Sequence, residues 1–251
     1  MANGCVSAER ILAKLDEHLH RDDYVAAERH LDFWLREARA DADYKTELLI
    51  LNESMGLFRK TGKREEALAT AHAALSLVET LGLGRQVGGA TTFLNAATVY
   101  KAFSLAEKAL PLFEGAKAVY EAELAADDSR LAGLYNNMAL ALTDLGHYTD
   151  AISLYEKALA IVEKKEDGAP EAAITYLNIA SAREAELGLL EADAQIGLCL
   201  EKAKALLESH AERDGAYAFV CEKCASVFGY YGYFLYENEL KERAKRIYER
   251  T

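Results

Sequence analysis

Proline is nearly missing from this chain: Pro111 and Pro170 are the two in 251 residues. Since proline breaks helix interiors, its scarcity leaves long stretches open to helix formation. Pro170 follows Asp167-Gly168 and suits the first turn of a helix, where a missing N–H costs nothing, whereas Pro111 falls inside a predicted helix and should bend it. Long hydrophobic runs are missing too. No stretch approaches the ~18 apolar residues that a membrane-spanning helix requires. The first ten residues have no apolar core ahead of a cleavage site, so no secretory leader is expected. Asn3-Gly4-Cys5 has the order of a lipoprotein cleavage site without the hydrophobic segment that should precede it. Positive charge is in deficit, with 29 Lys and Arg against 41 Asp and Glu, a net charge of −12. That balance disfavours nucleic acid and anionic membrane surfaces as partners. Four cysteines without a disulfide-like framework fit a reducing compartment, and a cytoplasmic location is expected.

Signals for chemistry are equally sparse. Cys221-Glu-Lys-Cys224 supplies at most half a zinc site, with no second pair to complete it, and no βαβ context supports a redox role. On a helix these thiols share a face that suits packing. The histidines of Glu17-His18-Leu19-His20 point away from each other, and the glycine-rich stretch 82–88 follows a helix, not a strand, so it reads as a linker. No phosphate-cradling loop, nucleophile elbow or metalloprotease motif occurs. Neither an enzyme nor a cofactor site is expected.

What the chain does have is apolar content of 51% and a period. A turn-type residue recurs at Gly62, Ser104, Gly146 and Gly188, three successive intervals of 42 residues. Large residues precede each turn and alanines follow at spacings of three and four, which keeps each set on one helical face. The pattern is Leu51, Met55 and Phe58 before Gly62, then Ala67, Ala71 and Ala74; Phe93, Ala97 and Tyr100 before Ser104, then Ala109, Phe113 and Ala116; Tyr135, Ala139 and Leu142 before Gly146, then Ala151, Tyr155 and Ala158. Ser104 with Glu107 also has capping-box spacing. The ends are less regular. The first copy has Ile11, Leu15 and Leu19, an Asp22-Asp23 break, then Tyr24, Ala27, Leu31 and Trp34. The fifth keeps Leu177, Ser181 and Gly188 in register, with Ile196, Leu200 and Ala203 inward on a longer second helix, and the sixth reads Phe228, Tyr231, Gly232 and Leu235, then Ala244 and Tyr248.

The clearest copy, from Tyr135 to Leu159, resembles the tetratricopeptide repeat in the longer 42-residue form of kinesin light chains. The resemblance implies an all-α fold, a right-handed α-α superhelix of about six helix pairs, in one solenoid domain spanning 1–251 with repeats near 7–40, 44–81, 87–125, 129–165, 170–210 and 215–251. It also implies a scaffold that binds a protein or peptide segment along the concave surface of its first (A) helices. Asn52, Asn136 and Asn178 share one equivalent position on those helices, and Asn95 and Asn137 the next. In similar repeats, asparagines there grip a peptide backbone, for which a carboxamide offers both donor and acceptor. The same residues could instead cross-link adjacent A helices. Arg59 and Lys101 are equivalent, with Lys60 adjoining, and Asp144 and Glu186 follow in later repeats. That distribution predicts a groove basic toward its N-terminal half and acidic toward the other, polarity that could orient a peptide; solvated surface is the plainer alternative.

Residues 217–236 hold eight of the 23 aromatics. Those from 228 to 236 point all round a helix, so one packed face cannot absorb them. Core packing, a ligand platform and a homodimer interface remain open, and Tyr230, Tyr233, Phe234 and Tyr236 are the candidate interface residues.

Overall fold

The chain passes from helix to helix by one repeated device. A residue in the left-handed backbone region follows the helix end, and the next residue donates its N–H to the carbonyl five positions back. In the computed structural model, which describes residues 7–211 and 213–250, this closure occurs at Asp22, Ala42, Gly62, Gly82, Ser104, Gly146 and Gly232, with φ between 51° and 86°. The closing bonds, such as Lys63 N–H to Phe58 O and His147 N–H to Leu142 O, measure 2.8–3.0 Å. They satisfy carbonyls that a helix end would otherwise leave unpaired. Aspartates start several of the following helices: Asp23, Asp43, Asp128 and Asp214 each accept a backbone N–H of the first turn. The Asn3-Gly4-Cys5 segment lies outside the described residues.

Contacts group the chain into two units. The first, ending at Glu123, contains α1 (Ala8–His20), α2 (Tyr24–Ala40), α3 (Tyr44–Lys60), α4 (Arg64–Thr80), α5 (Val87–Ala102) and α6 (Ala106–Glu123). The second, from Leu124, contains α7 (Ser129–Asp144), α8 (Tyr148–Val162), α9 (Ala169–Leu187), α10 (Leu189–Ser209), α11 (Gly215–Tyr230) and α12 (Phe234–Tyr248). Consecutive helices pack as pairs, and the first helices of neighbouring pairs also touch, α3 on α5 and α9 on α11. The described residues therefore form six helix pairs and no strand, the all-α class expected.

Packing follows the large-over-small pattern. In unit 1, Leu51 and Met55 of α3 bury against Ala67, Ala71 and Ala74 of α4 and Ala96 and Val99 of α5. Ala27, Leu31 and Ala38 of α2 join Leu15, Ile50 and Leu57 in a second cluster. Methyl-sized residues on the second helix let the backbones approach closely, so each large side chain fills a groove with few voids. In unit 2, α9 to α12 share one core cluster that includes Leu177, Ile196, Leu200, Tyr217, Cys221, Phe228, Tyr236 and Leu240. Pro111 is exposed on α6, whose helical run continues through it, and Pro170 sits in the first turn of α9.

Two local expectations are corrected, and one expected turn differs in form. Ser104 does not cap α6. It takes the left-handed position (φ 61°) that glycine takes at Gly62 and Gly146, and Leu105 O accepts the first helical bonds, from Lys108 and Ala109. Gly188 closes α9 differently, with φ 86° and ψ 159°, and α10 begins at the next residue. In α12, Leu235 is 89% exposed and Tyr248 half-exposed, while Tyr236 and Ile247 turn inward. The position in α12 equivalent to Ala67 and Ala151 is Glu237, which cannot be buried without a large desolvation cost. The helix is rotated by about one residue so that its neighbour Tyr236 fills the core.

Candidate groove sites and surface clusters

The A-helix asparagines pair with one another within each unit. In unit 1, Asn95 Nδ2 donates to Asn52 Oδ1 at 2.7 Å, bridging α5 and α3. Asn52 Nδ2 in turn donates to Leu48 O (2.8 Å) and to Thr92 Oγ1 (3.1 Å). Both donors and the acceptor of Asn52 are thus engaged inside the protein, as a cross-link between helices. Asn95 keeps its carbonyl oxygen and one N–H for another partner.

In unit 2, Asn178 Nδ2 donates to Asn136 Oδ1 at 3.1 Å, joining α9 to α7. This contact leaves the Asn136 amide N–H groups and the Asn178 oxygen available. Asn136 also lines a concavity of about 160 Å³ with Ser129, Ala132, Gly133, Glu171 and Thr175, floored by Ala158 and Val162 of α8. Small side chains on α7 open this space: Ala132 and Gly133 offer no bulk where the large A-helix residues point the other way, into the core. Asn137, one position on, turns its amide back to Gly133 O at 2.8 Å.

The basic residues expected beside the asparagines belong to unit 1. Arg59 and Lys60 end α3 and are exposed, and Lys60 Nζ lies 5.0 Å from the centroid of the Tyr24 ring. Lys101, near the end of α5, is half-buried. The acidic counterparts lie in unit 2, where Glu186 pairs with Arg183 at 2.7 Å.

The aromatic block divides between core and surface. Tyr217 and Phe228 are fully buried, and Tyr236, expected at an interface, lies in the core, its hydroxyl donating to Glu208 at 2.7 Å. Tyr236 is therefore removed from the surface set. Tyr230 (71% exposed) and Phe234 (64%) remain exposed with Leu235, and Tyr233 is half-buried. Tyr230 and Tyr231 both donate to the Glu184 carboxylate at 2.7 Å, tying the end of α11 to α9.

Cys221 and Cys224 are buried on α11. Burial pushes the Cys224 thiol up to about 12 and raises that of Cys221, which keeps both protonated and weakly nucleophilic. Among the described residues, no group of three His, Cys, Asp or Glu is arranged to hold a metal ion, and no helix is long and apolar enough to cross a membrane.

One cluster was not anticipated. Arg243 of α12 is only 8% exposed, and its guanidinium reaches Tyr217 Oη (2.7 Å), Glu208 (3.0 Å) and Glu239 (2.5 Å). The sequence showed its charge but not its burial.

Comparison with known proteins agrees with this geometry. Residues 130–192 match the tetratricopeptide-repeat family. A search of curated proteins found no match. Among solved structures, BtubC (BKLC) from P. vanneervenii is similar with a TM-score of 0.66 and 21% identity over 81% of this chain and 82% of that one. NprR in complex with its cognate peptide NprX gives 0.62 and 16% identity over 97% and 68% of the respective chains. The putative kinesin light chain repeats of Podosopora anserina give 0.56 and 16% over 80% and 94%. The chain has the tetratricopeptide-repeat fold, with neighbours of the kinesin-light-chain type.

Proposed function

We propose that this protein is a non-catalytic scaffold that binds an extended protein or peptide segment along its A helices. The observation that carries this reading is the concavity beside Asn136, where small side chains leave room and an amide remains to donate. A carboxamide held in place by a second carboxamide is pre-oriented for a main-chain carbonyl, so binding costs little ordering. NprR, which shares this fold, was solved in complex with its cognate peptide NprX. Arg59, Lys60 and Lys101 supply basic character in unit 1, and Asn52, Asn95, Asn137 and Asn178 complete the asparagine set. The buried, protonated thiols of Cys221 and Cys224 are poor nucleophiles.

The test is gentle isolation from the native host, followed by mass spectrometry of co-purifying peptides and proteins. One stoichiometric partner is expected, lost when Asn95, Asn136 and Asn137 become alanine while helicity is unchanged. Retention of the partner by the triple variant would overturn the reading.

The exposed apolar edge of unit 2 favours a second reading, self-association. Tyr230, Phe234 and Leu235 at the α11–α12 turn, and Leu189 and Leu190 at the start of α10, all face solvent. Sedimentation equilibrium decides it: a mass that rises with concentration and falls back on Phe234→Ser supports the homodimer, and a monomer at high micromolar concentration excludes it.

A further inference from the structure

Glu239, Arg243, Arg246 and Arg250 recur along α12 and its end at intervals of four, three and four, which sets them on one helical face. With Ile247, and with Arg213 from the linker before α11, they line a concavity of about 370 Å³. Four guanidiniums converge there in a chain whose net charge is −12.

Two of the four are organised around Tyr217. Arg243 donates to its hydroxyl, and the Arg213 guanidinium stacks 5.4 Å from its ring centroid. Arg243 is balanced by Glu208 and Glu239, and Glu239 is the only carboxylate among the described lining residues. Arg213, Arg246 and Arg250 are exposed; Arg213 also attracts the Glu208 carboxylate, and none of the three makes a close ion pair among the described residues. Arg246 Nε donates to Glu242 O at 3.1 Å, which holds the side chain against its own helix. Like charges one turn apart on a helix repel, and an anion bound between them would remove that cost.

The chemistry of the anion follows from the charge left over. A carboxylate brings one negative charge and two oxygens, whereas a phosphomonoester brings roughly 1.5 to 2 charges and three acceptor oxygens. Guanidinium forks match phosphate oxygens in pairs. The volume lies in the range of about 300–1,000 Å³ typical of small-ligand sites. We infer that the α12 concavity is a phosphate-binding site, with Arg213, Arg246 and Arg250 contacting the phosphate and Arg243, neutralised by Glu208 and Glu239, fixing the wall behind it. A phosphorylated side chain of a partner and a small phosphorylated compound share this chemistry.

Calorimetric titration of the full chain tests it, with pyrophosphate, with a phosphoserine peptide and its unphosphorylated form, and with succinate as a dicarboxylate control. Pyrophosphate or the phosphopeptide is expected to bind at one site, with affinity falling about tenfold or more in the Arg246→Gln/Arg250→Gln double variant. Both positions are exposed, so the ligand-free melting temperature should not fall. Tighter binding of the phosphopeptide identifies a partner segment as the source; tighter binding of pyrophosphate identifies a small compound. Unchanged affinity in Asn136→Ala separates this site from the A-helix groove. The proposal is overturned if neither phosphate ligand binds at millimolar concentration, if the double variant binds equally well, or if succinate binds as tightly.

Discussion

Replacing Gly146 with alanine isolates the cost of the left-handed turn, because nothing else at that position opposes a side chain. Gly146 has φ 78°, and a Cβ built there meets no atom within 4 Å. The loss is therefore backbone strain, about 1–2 kcal/mol for an L-residue in this region. It is offset by about 0.4–1 kcal/mol because alanine restricts the unfolded chain. A net destabilisation of about 1 kcal/mol follows, equivalent to a fall in Tm of about 2–4 °C in a protein of this size. The reverse experiment already has its starting point in the sequence. Ala42 holds the same conformation (φ 53°) at the α2–α3 turn, so Ala42→Gly should stabilise by about 0.5–1 kcal/mol by the same balance. Urea unfolding followed by helical circular dichroism measures both, with Gly146 reporting on unit 2 and Ala42 on unit 1. If Gly146→Ala leaves the midpoint unchanged, or if Ala42→Gly lowers it, the strain argument is wrong.

Three further outcomes follow from side-chain geometry. Arg243→Ala should destabilise unit 2 by about 2 kcal/mol in urea titration, less than the ~3–5 of a fully enclosed pair because Glu208 and Glu239 reach water; no loss would mean that the buried guanidinium contributes nothing. The Asp128 carboxylate caps α7 and accepts from Arg130, and those hydrogen bonds hold its pKa at about 2. Since the folded value is depressed, the cap contributes fully above the ordinary carboxylate range and is lost as pH falls toward 2; carbon-detected NMR should show that midpoint, and Arg130→Gln should raise it. The buried Tyr155 hydroxyl lies near the Thr143 side chain but makes no well-formed hydrogen bond among the described residues, so Tyr155→Phe should leave stability equal or raise it by up to about 1 kcal/mol, and a marked loss in thermal melts would show that the Thr143 contact holds the hydroxyl.

The helix pairs were legible because the sequence states them in two independent ways. The 3.6-residue alternation of large and small residues marks the faces, and the left-handed positions at Gly62, Ser104 and Gly146 mark the turns. In α12 Ala244 is buried as expected, but Leu235 and Tyr248 are not, because the burial of Tyr236 and Leu240 depends on which neighbours are charged. The 42-residue spacing placed the asparagines on adjacent A helices, but not the fact that Asn52 uses both N–H donors and accepts one bond inside unit 1. That choice is made by Thr92 and Asn95, residues 40 or more positions away. The arginine stripe was visible as helical surface charge, yet Arg213 joins it through the linker before α11, a proximity no local pattern carries.

The central claim, that the A-helix face of unit 2 holds an extended segment, is tested most directly by site-specific photo-crosslinking. Gly133 is exposed, lines the concavity beside Asn136, and a Cβ built there meets no atom within 4 Å, so it is the position chosen for benzoylphenylalanine; exposed Ser153 on α8 is the control. The account predicts capture of one partner segment from Gly133 alone, abolished by Asn136→Ala. Equal labelling from both positions, or capture from Gly133 that survives Asn136→Ala, would contradict it.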